Sequence, residues 1–211
     1  MTTPAEFAPR SEVASSRLVM TLGLAGAIAG LAIVFVFQWT APTIEAYKAE
    51  QLRLAIDEVL QRPDRFDTLY VVDGALMPSG DPAIHESVYL GYRGAEPVGF
   101  AIASGEPGFQ DVIGLIFGYD HERDALLGMK VLESKETPGL GDKIEKDTTF
   151  VNQFDGVQAP LVGIKSRDNS GDPHEVDMIT GATISSRTVI KAINQALERL
   201  GPLLDQYMAA R

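Results

Sequence analysis

Asp177-Met178-Ile179-Thr180-Gly181-Ala182-Thr183 sets a threonine hydroxyl directly after a Gly-Ala pair and just before Ile184-Ser185-Ser186. An amphipathic run follows, so the stretch reads as a helix start crowded with hydroxyl groups. Helix N-termini attract phosphate through N–H groups that lack intrahelical partners and through the positive end of the macrodipole. The Thr183 or Ser185 hydroxyl has three possible uses here: to cap the helix, to bind a phosphate, or to be esterified to one. About forty residues upstream lies Glu136-Thr137-Pro138-Gly139-Leu140-Gly141-Asp142-Lys143. Two glycines and a proline within four positions make a tight loop whose backbone can approach a ligand closely. Taken alone, it is also an ordinary strand-to-helix turn.

Composition narrows the chemistry. The chain of 211 residues has no cysteine, which excludes disulfides, thiolate metal sites, iron–sulfur ligation and thiol nucleophiles. An electron-carrying role would need a bound organic cofactor. His85, His121 and His174 are scattered in loop-like sequence, so no metal site is expected. No catalytic acid/base pair stands beside either motif. The formal charge is −11, all of it arising after residue 39, and a domain so acidic would repel a nucleic-acid backbone.

Several elements must position the two motifs. Leu18–Trp39 is an uncharged, mostly apolar run of about 20 residues, long enough for a transmembrane helix. Gly23, Gly26 and Gly30 form a small-residue stripe along it. The run is too long for a signal-peptide core and lacks a convincing cleavage site at its end, so it reads as a permanent anchor. Arg10 and Arg17 on one side are nearly balanced by Lys48 and Arg53 on the other, and only the immediate flank, Arg17, favours a cytoplasmic N-terminus and a large domain outside the cytoplasm.

The expected divisions are a tail at 1–17, the span at 18–39, a helical linker at 40–62 and a domain at 63–211. Within them, 43–60 reads as an amphipathic helix beginning after Pro42. Strand patterns cover 69–72, 87–92, 98–103, 112–119, 126–132 and 161–165, with a hairpin turn at 120–124. A last helix is expected over 186–200, stopped by Gly201-Pro202. Strands between terminal helices make the fold class α+β, with a mainly antiparallel sheet.

The pairing of Glu-Thr-Pro-Gly-Leu-Gly with a later Asp-x-x-Thr-Gly-Ala-Thr resembles the FMN-binding domain of the Rnf and Nqr redox pumps. The short chain and single span look most like the RnfG type; NqrC is the longer relative. The resemblance runs from the anchor to the last helix.

It implies FMN moved from FAD onto Thr183 by a flavin transferase, leaving a phosphoester bond. Thr180, Gly181, Ala182, Ser185 and Ser186 would surround the phosphate. Glu136, Thr137, Leu140, Gly141 and Lys143 would lie beside the isoalloxazine ring, and Asp177 would belong to the transferase's recognition signal. The resemblance further implies an electron-transfer subunit anchored in the inner membrane among the other subunits of an ion-translocating complex linking ferredoxin and nicotinamide redox. Other readings are a free-standing flavin reductase or redox sensor, and a structural adaptor without flavin. One departure stands out: the family often has histidine two residues before the loop glutamate, where this chain has Ser134. Serine cannot titrate near neutral pH as histidine can.

Overall fold

The structure, a computed structural model, describes residues 15–211. Most of the expected 1–17 tail lies outside the described residues. The chain divides into two compact units, residues 1–49 and residues 50–211.

The first unit holds most of helix α1 (Ser15–Val59). The side chains of Leu18 to Trp39 are exposed on every face of this helix, as a segment whose solvent is lipid requires. The expected helix start after Pro42 is corrected, because α1 runs through it. Proline's locked φ is already helical, and the cost falls on the Gln38 carbonyl, which loses its N–H partner and is crowded by the ring.

The second unit opens with the end of α1. Strands β1 (Arg65–Val72), β2 (Ala75–Met77), β3 (Ser87–Arg93), β4 (Glu96–Pro107), β5 (Val112–Asp120) and β6 (Ala125–Glu133) follow. Two one-turn helices, α2 (Lys143–Lys146) and α3 (Thr148–Val151), lead to β7 (Asp155–Gln158). Strands β8 (Val162–Lys165) and β9 (Glu175–Met178) precede the final helix α4 (Thr183–Ala209). The seven-stranded sheet has the order β2-β1-β3-β4-β5-β6-β7, antiparallel throughout, whereas β8 and β9 pair in parallel.

Period-two alternation divides the core between the two faces of the sheet. Ala101 of β4 and Ile116 of β5 pack with Ala55, Ile56, Val59 and Leu60 at the end of α1. Their neighbours Phe100, Ile102, Leu115 and Phe117 turn to the opposite face, where Val189, Ile193, Ala196 and Leu200 of α4 cover them.

The expected end of the last helix is also corrected, since α4 passes Pro202 and continues to Ala209. An interior proline costs about 3 kcal/mol. Leu204 beyond it is completely buried, and Leu203, Tyr207 and Met208 pack against the same core. Full burial of Leu204 contributes about 1.5–3 kcal/mol and the partly buried Leu203, Tyr207 and Met208 add to it, so the longer helix wins.

Candidate functional site

Glu136 follows β6 and is only 6 % exposed. Its Oε1 accepts the backbone N–H of Phe109 at 2.8 Å and of Gln110 at 3.0 Å. Its Oε2 accepts the Ser185 hydroxyl at 2.7 Å. A single carboxylate thus ties the β4–β5 hairpin tip, the loop after β6 and the first turn of α4 together. Burial alone would raise the Glu136 carboxyl. The hydrogen bonds from Ser185, Gln110 and Phe109 outweigh that and hold it below its ordinary range.

Further bonds fasten the same joint. Gln110 Nε2 donates to Thr137 Oγ1 at 2.9 Å, and Lys135 pairs with Asp111 at 2.7 Å. Ser134, at the departed histidine position, accepts the Glu136 backbone N–H at 3.3 Å and so helps shape the loop. Gly141 is required by close approach. A Cβ there would stand 2.7 Å from Glu136 Oε2 and 3.1 Å from Ser185 Oγ.

The joint encloses a cavity of about 310 Å³, at the small end of ligand sites. Glu136, Thr137, Leu140 and Gly141 from one motif line it, with Gly181, Ala182, Thr183 and Ser185 from the other. Phe109 and Ile184 complete the wall. Phe109, Leu140 and Ile184 are 66, 51 and 52 % exposed, an apolar rim open to solvent.

The other expected site residues stand apart from that lining. Thr180 is exposed in the turn before Gly181, whose φ of +87° places it in a conformation that glycine adopts readily. Ser186 is buried. Its hydroxyl accepts the Ile179 N–H at 3.1 Å and donates to the Ala182 carbonyl at 3.0 Å. Lys143 begins α2. Asp177 lies on β9, where its carboxylate accepts from Asn169 Nδ2 at 3.1 Å and its backbone pairs with the Gln153 amide. Tyr89 meets Phe66 edge-on and Tyr92 lies under Arg65, both away from the cavity.

The N-cap position of α4 is Ala182, with no side-chain cap bond, which corrects the possibility that Thr183 or Ser185 caps the helix. Thr183 is instead the first helical residue. Its hydroxyl reaches the Ile179 carbonyl only at 3.5 Å, the outer limit of a hydrogen bond. Of the three hydroxyls that open α4, Ser185 and Ser186 are firmly engaged and Thr183 is loosely held at the cavity wall.

Phe109 and Ile184 are lining residues that sequence reasoning missed, Ile184 within a motif and Phe109 outside both. The signal for Phe109 was a large aromatic in a Gly/Pro turn, where no sheet face exists for it to pack against.

An FMN-binding domain family model matches residues 108–198, a span that includes both motifs and begins at the hairpin tip. The G-type subunit (RnfG) of the ion-translocating oxidoreductase complex from Yersinia pestis is 34 % identical over 199 residues, covering 90 % of this chain and 92 % of that protein. The chain belongs to the RnfG family. The Methanosarcina acetivorans relative of the same name is 28 % identical, over 87 % of this chain and 93 % of that protein. The family likeness extends to fold: Shewanella oneidensis NqrC superposes with a TM-score of 0.64 at 17 % identity, covering 78 % of this chain and 99 % of that one.

The cofactor of this domain is FMN, and the residues present fit it. The rim of Phe109, Leu140 and Ile184 suits a flat, largely apolar ring system. The uncapped first turn of α4 suits a phosphate.

Proposed function

We propose that the chain carries FMN in phosphoester linkage to Thr183 and serves as a membrane-anchored electron carrier. Its setting is an Rnf-type complex that couples ferredoxin and nicotinamide redox to ion translocation. The single observation behind the attachment point is the Thr183 hydroxyl. It lines the cavity, opens an uncapped helix and lacks the firm partners that hold Ser185 and Ser186. When bound, FMN supplies the electron-accepting and electron-donating chemistry, while the protein supplies position and electrostatics.

The phosphate belongs at the first turn of α4, with the helix N–H groups as donors and exposed Thr180 as an added hydroxyl. The ring belongs between Phe109, Leu140 and Ile184. Asp177, partly exposed on β9, is left for recognition by the flavin transferase. Arg17 beside the span favours a cytoplasmic N-terminus, which puts the flavin domain on the outer side of the inner membrane. Covalent attachment there prevents loss of the cofactor.

A free-standing reductase is a poorer reading. Glu136 is the one ionisable group among the described residues lining the cavity, and its carboxylate is surrounded by donors. It is therefore poorly suited to deliver a proton to a substrate.

The test is a denaturing gel of the full chain from cells that contain the transferase. A fluorescent flavin band in the wild type and a dark band for Thr183→Ala support the reading. A dark wild-type band, or a bright Thr183→Ala band, refutes it.

A further inference from the structure

Outside the flavin site, a groove of about 530 Å³ beside Glu86, Glu106 and Arg199 is crossed by the Glu86–Arg199 and Glu106–Lys191 pairs. Its charges are satisfied internally and nothing points to an occupant. The groove beside Asp120 and His121 is likewise self-paired, with His121 bonded to Asp205 of α4. The glycine stripe of α1 faces open space. The cleft between the two motifs offers more.

Glu136 is the single ionisable group among the described residues that line it. Its carboxylate is met by donors: the backbone N–H groups of Phe109 and Gln110 and the Ser185 hydroxyl, with the Asp111 backbone adding to them. Each of these donors is accepted more strongly by the ionised carboxylate than by a neutral carboxyl, so the geometry favours the ionised form. Both flanking glycines press against it. A Cβ on Gly108 would lie 2.5 Å from Oε1, and one on Gly141 would lie 2.7 Å from Oε2. The charge is therefore fixed in place rather than carried on a mobile side chain. The nearest lysine on its own loop, Lys135, is already paired with Asp111.

We propose that Glu136 is a potential-setting residue, a fixed negative charge in the cleft wall that holds the reduction potential of the bound flavin down. The inference rests on FMN occupying this cleft. Electrons added to the ring add negative charge, which a neighbouring carboxylate in a partly dry site disfavours. The hydrogen bonds it accepts offset part of that charge without removing it.

The test compares midpoint potentials of the full detergent-solubilised chain, titrated with dithionite against a reference dye. Intact mass first establishes that each protein carries FMN. Glu136→Gln keeps the size and an acceptor oxygen for the two N–H groups, and its amide can donate to Ser185 Oγ. Its potential should move to more positive values. Ser185→Ala removes a donor while leaving the charge, and its potential should move the opposite way.

An unmoved Glu136→Gln potential overturns the proposal. So does a shift of both variants in the same direction, the mark of a loosened pocket. If Glu136→Gln does not load flavin, Ser185→Ala decides: a more negative potential supports the proposal, and an unchanged or more positive one overturns it. A wild-type chain without the FMN mass increment instead overturns the flavin reading, and this inference with it.

Discussion

Ser185 Oγ donates to Glu136 Oε2 at 2.7 Å, joining residues 49 positions apart in the chain. This bond fastens the first turn of α4 to the loop after β6, and it is buried. The two sequence motifs are therefore two walls of one cavity.

Removing one partner of that bond should be measurable as lost stability. Ser185→Ala leaves a buried carboxylate oxygen short of a donor, which costs about 1–3 kcal/mol. Urea unfolding followed by circular dichroism should show a lower midpoint with an unchanged slope. A midpoint equal to that of the wild type would mean the bond is not made in solution.

Acid should undo the same joint. The Glu136 carboxyl is held below its ordinary value of 4.5 despite the opposing effect of burial. A depressed folded-state pKa means that its stabilisation is complete above the unfolded value and fades as pH falls through the folded one. Wild-type stability should therefore decline below about pH 4.5, and the decline should be shallower in Glu136→Gln. Equal acid slopes for the two proteins would count against an ionised Glu136.

Gly141→Ala tests the fit between the two walls. The added methyl would sit 2.7 Å from both the Glu136 Cβ and Oε2. Overpacking of this kind costs about 1–3 kcal/mol, and here it should also spread the cavity. The expected outcome is a lower unfolding midpoint together with weaker retention of flavin fluorescence. A variant with wild-type values in both would show that the walls do not meet this closely.

Phe109 should shield the ring. With Phe109→Ser, iodide should quench the emission of the bound flavin more steeply than in the wild type. Ile84→Ser is the matched control, since Ile84 is 76 % exposed and does not line the cavity. Equal quenching in both variants would remove Phe109 from the site.

Much of this arrangement is legible in the amino-acid sequence itself. The strand patterns at 87–92, 112–119 and 126–132 correspond to β3, β5 and β6 because sheet faces covered on both sides leave short apolar runs bounded by turn residues. Strands β2, β7 and β9 are not legible: each has only three or four residues, too few for periodicity to register. Strand β9, which bears Asp177, forms through parallel pairing with β8 rather than by a local signal. Pro202 misleads because a local breaking preference is overridden by the tertiary burial of Leu204. Phe109 stays hidden because it reaches the cavity through Glu136, 27 residues along the chain. Site chemistry is legible where it lies within one motif, and illegible where folding brings a third segment in.

The central claim concerns one oxygen atom, Thr183 Oγ1. Intact-mass measurement of the native full chain, followed by peptide mapping, tests it most directly. The account predicts an FMN-sized increment on the peptide containing Thr183, absent from Thr183→Ala. An unmodified native chain, or an increment mapping to Thr180, Ser185 or any other residue, would contradict it.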